Sequence, residues 1–392
     1  MILKINKKYI VAVMLLFLIV QPIYLNYILE PTRIYKLGRY VLMGGVLLYY
    51  IKKRFKTSPI IKTLFFWQLW VYFITVLKGQ DVSTALRYGE QLLILFTIFD
   101  AYKKNYNFIL KAMMIHCELC TYINLLTLVC FPQGFFSRTI AAYGSSQEWF
   151  LGVHNYFIVW LFPSLVVASI YKEVIGNRIR ANILMIGVVI TAIINMSGTG
   201  RVAIFSFLII MYLPNIIKKH MSPIGSMIAI LIGAFVIVVL QKFDFLKIIV
   251  VNLLGKDMTM NSRVMIWSNA IKKIEESPLW GYGYISEQNM PYYIGTIKSI
   301  LWKGATHCHC QYLQVLFHGG IIGFLLYIMM LFCAIRSVKK CKNRKIVNIC
   351  IISIVVFMIM GITEVMTYTF VYSVIPLVYY ACEQCEDKLY TV

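Results

Sequence analysis

The feature that most constrains this chain is a succession of apolar runs, most of them long enough to be a helix, separated by gaps too short to hold a soluble domain. Hydrophobic residues make up 60% of the 392 and charged residues only 14%, whereas a soluble domain carries roughly 25% charged residues. A water-soluble core cannot absorb that much apolar surface. The runs lie near residues 9–29, 38–51, 60–78, 88–101, 108–131, 154–171, 181–197, 202–217, 224–242, 311–335, 346–363 and 367–382. They predict an all-α polytopic membrane protein of about twelve transmembrane helices, built as a single membrane domain over residues 1–392.

The net charge of +22 is distributed in a way that excludes nucleic acid as a partner, because a nucleic-acid binder gathers its basic residues on one soluble face. Here they stand in short clusters between apolar runs: Lys4/Lys7/Lys8, Lys52/Lys53/Arg54/Lys56, Lys103/Lys104, Lys172/Arg178/Arg180, Lys218/Lys219 and the run from Arg336 to Lys345. Successive clusters are separated by an even number of runs, so the positive-inside rule puts all of them, and both termini, on the cytoplasmic side. The first run continues past Gln21 without a small-residue cleavage signal and reads as an uncleaved span. The outer face then receives two segments of useful length, 132–153 and the large loop of about 243–310. No internal repeat is visible, which weighs against an inverted-repeat transporter.

Within the large loop, Trp267, Ala270, Ile271 and Ile274 recur at helical spacing after the cap formers Asn261 and Ser262, and the pattern stops at Ser277-Pro278. This predicts a short amphipathic helix of about 15 residues lying apolar face down on the outer membrane surface. Its first turn carries Arg263, so a side-chain cation and a helix dipole address the same spot and would stabilise an anion there. A second such place is Ser197-Gly-Thr-Gly-Arg201, a tight turn between two spans whose glycines leave amide N–H groups free. Arg201 could equally snorkel to lipid headgroups. Farther on, Thr306-His307-Cys308-His309-Cys310-Gln311 opens the tenth span. A positive helix end favours neutral imidazole at His309, the form a general base requires, although a histidine there can simply cap the helix. Alternating His and Cys neighbours do not match the separated ligand pairs of common zinc sites, and the pairs Cys117/Cys120 and Cys382/Cys385 are too far apart to form one. No metal and no cofactor is expected.

Taken in order, Ser197-Gly-Thr-Gly-Arg201, Arg263-Val-Met-Ile-Trp267, Ser277-Pro-Leu-Trp-Gly281-Tyr-Gly283 and His309-Cys-Gln-Tyr-Leu-Gln314 with Gly320 and Gly323 resemble the O-antigen ligase and polymerase superfamily over roughly residues 180–380. The segment Trp149 to Asn155 is similar to the corresponding loop of capsule and exopolysaccharide polymerases of the Wzy type. Cys310 departs from the family pattern, which usually has Asn, Ser or Gln after the histidine.

The resemblance implies a multi-pass enzyme of the cytoplasmic (inner) membrane with its active site on the external face. Its reaction would transfer a glycan chain from undecaprenyl pyrophosphate to the terminal sugar hydroxyl of a lipid-linked repeat unit. Arg201 and Arg263 would stabilise the leaving pyrophosphate and His309 would take the acceptor proton. Arg138, Glu148 and Gln314 are further substrate-binding candidates, with Glu148 a weaker alternative base. The partners implied are the undecaprenyl-pyrophosphate-linked oligosaccharide and membrane lipids, with a flippase and a chain-length regulator beside them. A ligase that moves finished glycan onto a terminal acceptor shares the same motifs. A flippase for lipid-linked sugars is the alternative from another class, but it would line a cavity within its spans with charge, and these spans hold few.

Overall fold

A computed structural model describes residues 7–29, 32–140, 144–214, 222–242, 263–295 and 305–387. The N-terminal helices are α1 (Lys7–Ile19), α2 (Ile23–Leu29), α3 (Arg33–Lys52), α4 (Pro59–Leu77), α5 (Val82–Ala101) and α6 (Tyr106–Cys130). A hairpin of β1 (Phe136–Ile140) and β2 (Gly144–Glu148) follows. Then come α7 (Phe157–Val174), α8 (Arg178–Ile194), α9 (Gly198–Tyr212) and α10 (Pro223–Ala234), the last continued by a π-helical turn, Phe235–Val239. The C-terminal part comprises α11 (Arg263–Glu276), α12 (Pro291–Ile294), α13 (Gln311–Ser337), α14 (Arg344–Thr363) and α15 (Val374–Asp387).

A helix stands at each expected run, but not every one is a span by length and apolarity. Among the described residues, 5 helical stretches are long and apolar enough to cross a membrane: Pro59–Leu77, Lys103–Cys130, His154–Val174, Gln311–Lys340 and Arg344–Thr363. The first expected span is instead broken into α1 and α2 with a bend of 80°, which makes 6 if the pair counts as one. The break falls at Gln21-Pro22, where proline removes an amide donor and disfavours helix in the residue before it.

α7 is the axis of the bundle, buried along nearly its whole length from Phe157 to Tyr171. α8 shows why the surroundings must be apolar. Ala181, Leu184, Val188 and Ala192 face the bundle, while Ile179, Ile183, Ile186, Ile190 and Ile193 form a fully aliphatic stripe that is exposed. Water would penalise such a stripe by about 25 cal/mol for every Å²; lipid tails do not.

Two expectations change here. The all-α reading missed a hairpin in the 132–153 segment, antiparallel with Phe136 opposite Glu148 and Arg138 opposite Ser146. The amphipathic helix of the large loop is α11, ending at Glu276 ahead of Ser277-Pro278 as expected, but its apolar face is not laid on lipid. Ile266, Trp267 and Ala270 are buried against protein, packed on α12 and α13. The cap formers Asn261 and Ser262, with residues 243–260 and 296–304 of the large loop, lie outside the described residues.

Candidate active site

The site is organised by a break in α13. Gly320 has φ 60° and ψ −164°, which is not helical, and a break of this kind releases backbone groups on either side from their helical partners. The motif loop that follows α11 takes them up. Tyr282 N–H donates to Phe317 O at 2.9 Å, Gly283 N–H to His318 O at 2.9 Å, and Ile321 N–H to Pro278 O at 2.8 Å. Gly281 and Gly283 also have positive φ, and neither has room for a side chain, Gly281 lying against the break in α13 and Gly283 against Thr75 of α4. On the far side Trp70 of α4 donates to Gly319 O at 2.8 Å and stacks on Trp280 at 5.2 Å. The glycines of two sequence motifs are thus one seam.

Immediately before α13 the chain places two imidazoles in contact, their ring centroids 4.1 Å apart. The His309 amide donates to His307 Nδ1 at 3.2 Å, and His309 itself has φ 49°, a left-handed conformation for a non-glycine residue. Burial pushes the His309 pKa down to about 2, with His307 and then Arg263 adding to the effect. Burial followed by Arg263 lowers His307 to about 4. Both rings are therefore neutral at ordinary pH, and His309 Nδ1 is buried with no hydrogen-bond partner among the described residues. Arg263, at the first position of α11, is held by Glu364 at the end of α14, Nη2 to Oε1 3.1 Å. The fold puts Arg263 within electrostatic reach of His309 and His307, and adds Glu364 and His307, which sequence reasoning had not placed in the site.

A cavity of about 120 Å³ opens beside this pair, lined among others by His307, Gln311, Gln314, His318, Tyr284 and Glu287. Gln314 is a hinge pin of its wall. Its Oε1 accepts from the Cys308 amide at 2.8 Å, so its nitrogen is left to donate to His318 Nε2 at 2.7 Å. Gln311 fixes the other wall, donating to Tyr372 OH and accepting from the Met366 amide, both at 2.9 Å. Burial raises the Glu287 carboxyl above its usual range, and Arg138 pulls against that rise. Glu287 escaped notice in the sequence because it stands alone between tyrosines and glycine turns, with no periodic pattern to mark it. Cys310, at the N-cap of α13, is buried and its thiol is pushed up to about 12 by burial, so it is a small apolar side chain here.

The remaining sequence candidates lie apart from that cavity. The expected tight turn is instead the first turn of α9: Ser197 caps it, its Oγ accepting from the Gly200 amide at 3.2 Å so that this amide is not free, and Arg201 is exposed with its Nε donating to Ala192 O at 3.1 Å. Arg138 on β1 pairs with Glu148 on β2, Nε to Oε1 2.9 Å, and Ser146 Oγ donates to the same oxygen. Glu148 is completely buried. Of the two residues, Arg138 is the one that reaches the cavity electrostatically, through Glu287.

Residues 181–328 match the family model described as O-antigen ligase. That interval contains Arg201, Arg263, Glu287, His309 and both halves of the glycine seam. No curated protein matches the chain.

Proposed function

We propose that this chain, a multi-pass membrane protein carrying the O-antigen ligase domain of the ligase/polymerase superfamily over residues 181–328, is a repeat-unit polymerase acting on lipid-linked glycans. The donor would be a glycan chain on undecaprenyl pyrophosphate and the acceptor the terminal sugar hydroxyl of a second lipid-linked unit, at the external face of the cytoplasmic membrane. The observation that carries this reading is that Arg263, held by Glu364, acts electrostatically on the neutral His307–His309 pair beside a cavity into which His307, Gln311, Gln314 and Glu287 bring polar groups.

As the glycosyl bond to the pyrophosphate oxygen breaks, the electron pair leaves with the pyrophosphate, and charge grows where Arg263 can meet it. Glu364 keeps the guanidinium oriented in a partly buried place. The acceptor hydroxyl forms the new bond to the sugar and gives its proton to His309. A histidine pushed down to about 2 is by itself a weak base, but an arriving pyrophosphate is an anion and raises the basicity of an adjacent imidazole. Substrate thus switches on its own base. Arg201 contributes a further cation at the start of α9 on this reading, and transfer needs no metal ion.

A ligase that moves finished glycan to a terminal acceptor is the second reading, favoured by the description of the matching family model. Cells lacking the chain separate the two. Loss of a polymerase leaves single repeat units, and loss of a ligase leaves long chains on the carrier lipid. Polymer formation by purified protein from lipid-linked repeat units tests the enzyme reading directly; failure of that reconstituted reaction with intact protein would sink it.

A further inference from the structure

A second and larger cavity, of about 660 Å³, lies across α5 from the first. Ser83, Leu86, Arg87 and Glu90 face it, at the i, i+3, i+4, i+7 spacing of one helical face. Ala85, Tyr88 and Leu92 of the same helix face the His307 cavity. α5 is therefore a wall common to both.

The charge on the second cavity is one-sided. Lys36 and Arg39 come from the first turns of α3, Arg87 from α5 and Arg138 from β1, against two carboxylates, Glu90 in the lining and Glu148, which pairs with Arg138. Arg39 is nine-tenths buried, its side chain 10% exposed, and lies over the Tyr35 ring at 5.8 Å. One of its terminal nitrogens binds Glu90 and the Arg87 carbonyl, which orients the guanidinium. Its Nε–H is buried with no hydrogen-bond partner among the described residues. A guanidinium cannot shed that proton, so the donor persists at any working pH. Arg138 links the two places, lining this cavity while its field reaches Glu287 in the other.

We infer that this cavity is a second anion site, which takes a phosphate-class oxyanion. Guanidinium forks match phosphate oxygens, and four cations against the two carboxylates of Glu90 and Glu148 leave a net positive site. On the polymerase reading, on which this assignment of the occupant rests, the oxyanion is the pyrophosphate head of the acceptor, held on the far side of α5 from the donor. The headgroup of an ordinary anionic phospholipid offers the same chemistry.

The test uses the full-length protein in phosphatidylcholine nanodiscs, titrated calorimetrically with inorganic pyrophosphate. The wild type is expected to show two binding events. Lys36→Gln with Arg87→Gln, both exposed positions, should weaken one event by about tenfold or more, while Arg201→Ala with Arg263→Ala should spare that event. Arg39→Gln made together with Glu90→Gln removes the buried cation without stranding a carboxylate and should abolish it. Pyrophosphate binding unchanged both in the Lys36/Arg87 variant and in the Arg39/Glu90 variant overturns the site. Loss of the event in nanodiscs made with phosphatidylglycerol overturns the acceptor assignment and makes the occupant a membrane phospholipid; persistence there supports it. Should purified wild type form no polymer yet keep both events, the polymerase reading fails and the anion site stands.

Discussion

Gly281 and Gly320 interlock: a β-carbon on Gly281 would sit 2.6 Å from the Gly320 nitrogen, and one on Gly320 would sit 2.2 Å from the Leu279 carbonyl oxygen. Both have positive φ, 71° and 60°. Gly281→Ala and Gly320→Ala should therefore each destabilise the protein by about 2 kcal/mol or more, through backbone strain and forced separation of the seam. Gly45→Ala is the control. It lies in α3 with nothing within 4 Å of an added β-carbon, so helix propensity predicts a neutral or slightly stabilising effect. Thermal unfolding in one detergent compares the three. Equal melting temperatures would mean the seam is not a structural contact.

Arg263 and Glu364 are separable by substitution. Arg263→Ala should lower chain formation sharply at matched membrane expression, and Arg263→Lys should recover only part, because an ammonium lacks the fork that meets two phosphate oxygens. Glu364→Gln keeps a hydrogen-bond acceptor but not the charge, so a smaller loss is expected, roughly tenfold or less. Polymer yield from lipid-linked repeat units measures all three. A larger loss from Glu364→Gln than from Arg263→Ala would reverse their assigned order.

His309→Ala should cost a factor on the order of 10² to 10⁴ in transfer if it accepts the proton, with donor binding preserved. His307→Gln removes the acceptor for the His309 amide and should cost less. Full activity in His309→Ala would leave that residue a structural part of the turn before α13.

Stability should depend on pH through the same pair. Both histidines are depressed in the folded protein, to about 2 and about 4, from an ordinary value of 6.5. Below 6.5 the unfolded chain binds protons that the folded chain refuses, so stability is complete above that pH and is lost as pH falls. The slope approaches about 2.7 kcal/mol per pH unit below that value, if both rings stay neutral in the fold. His307→Gln with His309→Gln should flatten the melting-temperature profile between pH 6.5 and 4. An equally steep profile in that double variant would assign the acid sensitivity elsewhere.

The alternation of basic clusters predicts sidedness. A cysteine at Gln288, beside the His307 cavity, should react with an impermeant thiol reagent on intact cells, and one at Lys342 should not. Cys130, the native cysteine that is exposed, is replaced by Ser in both. Labelling of the two positions from the same side would remove the external active site together with the topology.

Periodicity and composition alone carried the membrane class and the end of α11 before Pro278. These are local matters: each depends on residues within a turn or two, and on how much apolar surface the whole chain must shield from water. His309 and Arg263 could be singled out on the same footing, from residue type and position at helix ends. Their neighbours could not. Glu364 lies 101 positions from Arg263 in the chain, and Glu287 shares a cavity with His307 only because the Gly320 break lets the motif loop dock there. The hairpin was equally hidden, since Phe136 to Ile140 makes one short strand whose stability comes from its pairing with β2 and from Arg138 meeting Glu148. Side chains that meet across a hundred residues are selected by how the helices pack, and no local pattern records that choice.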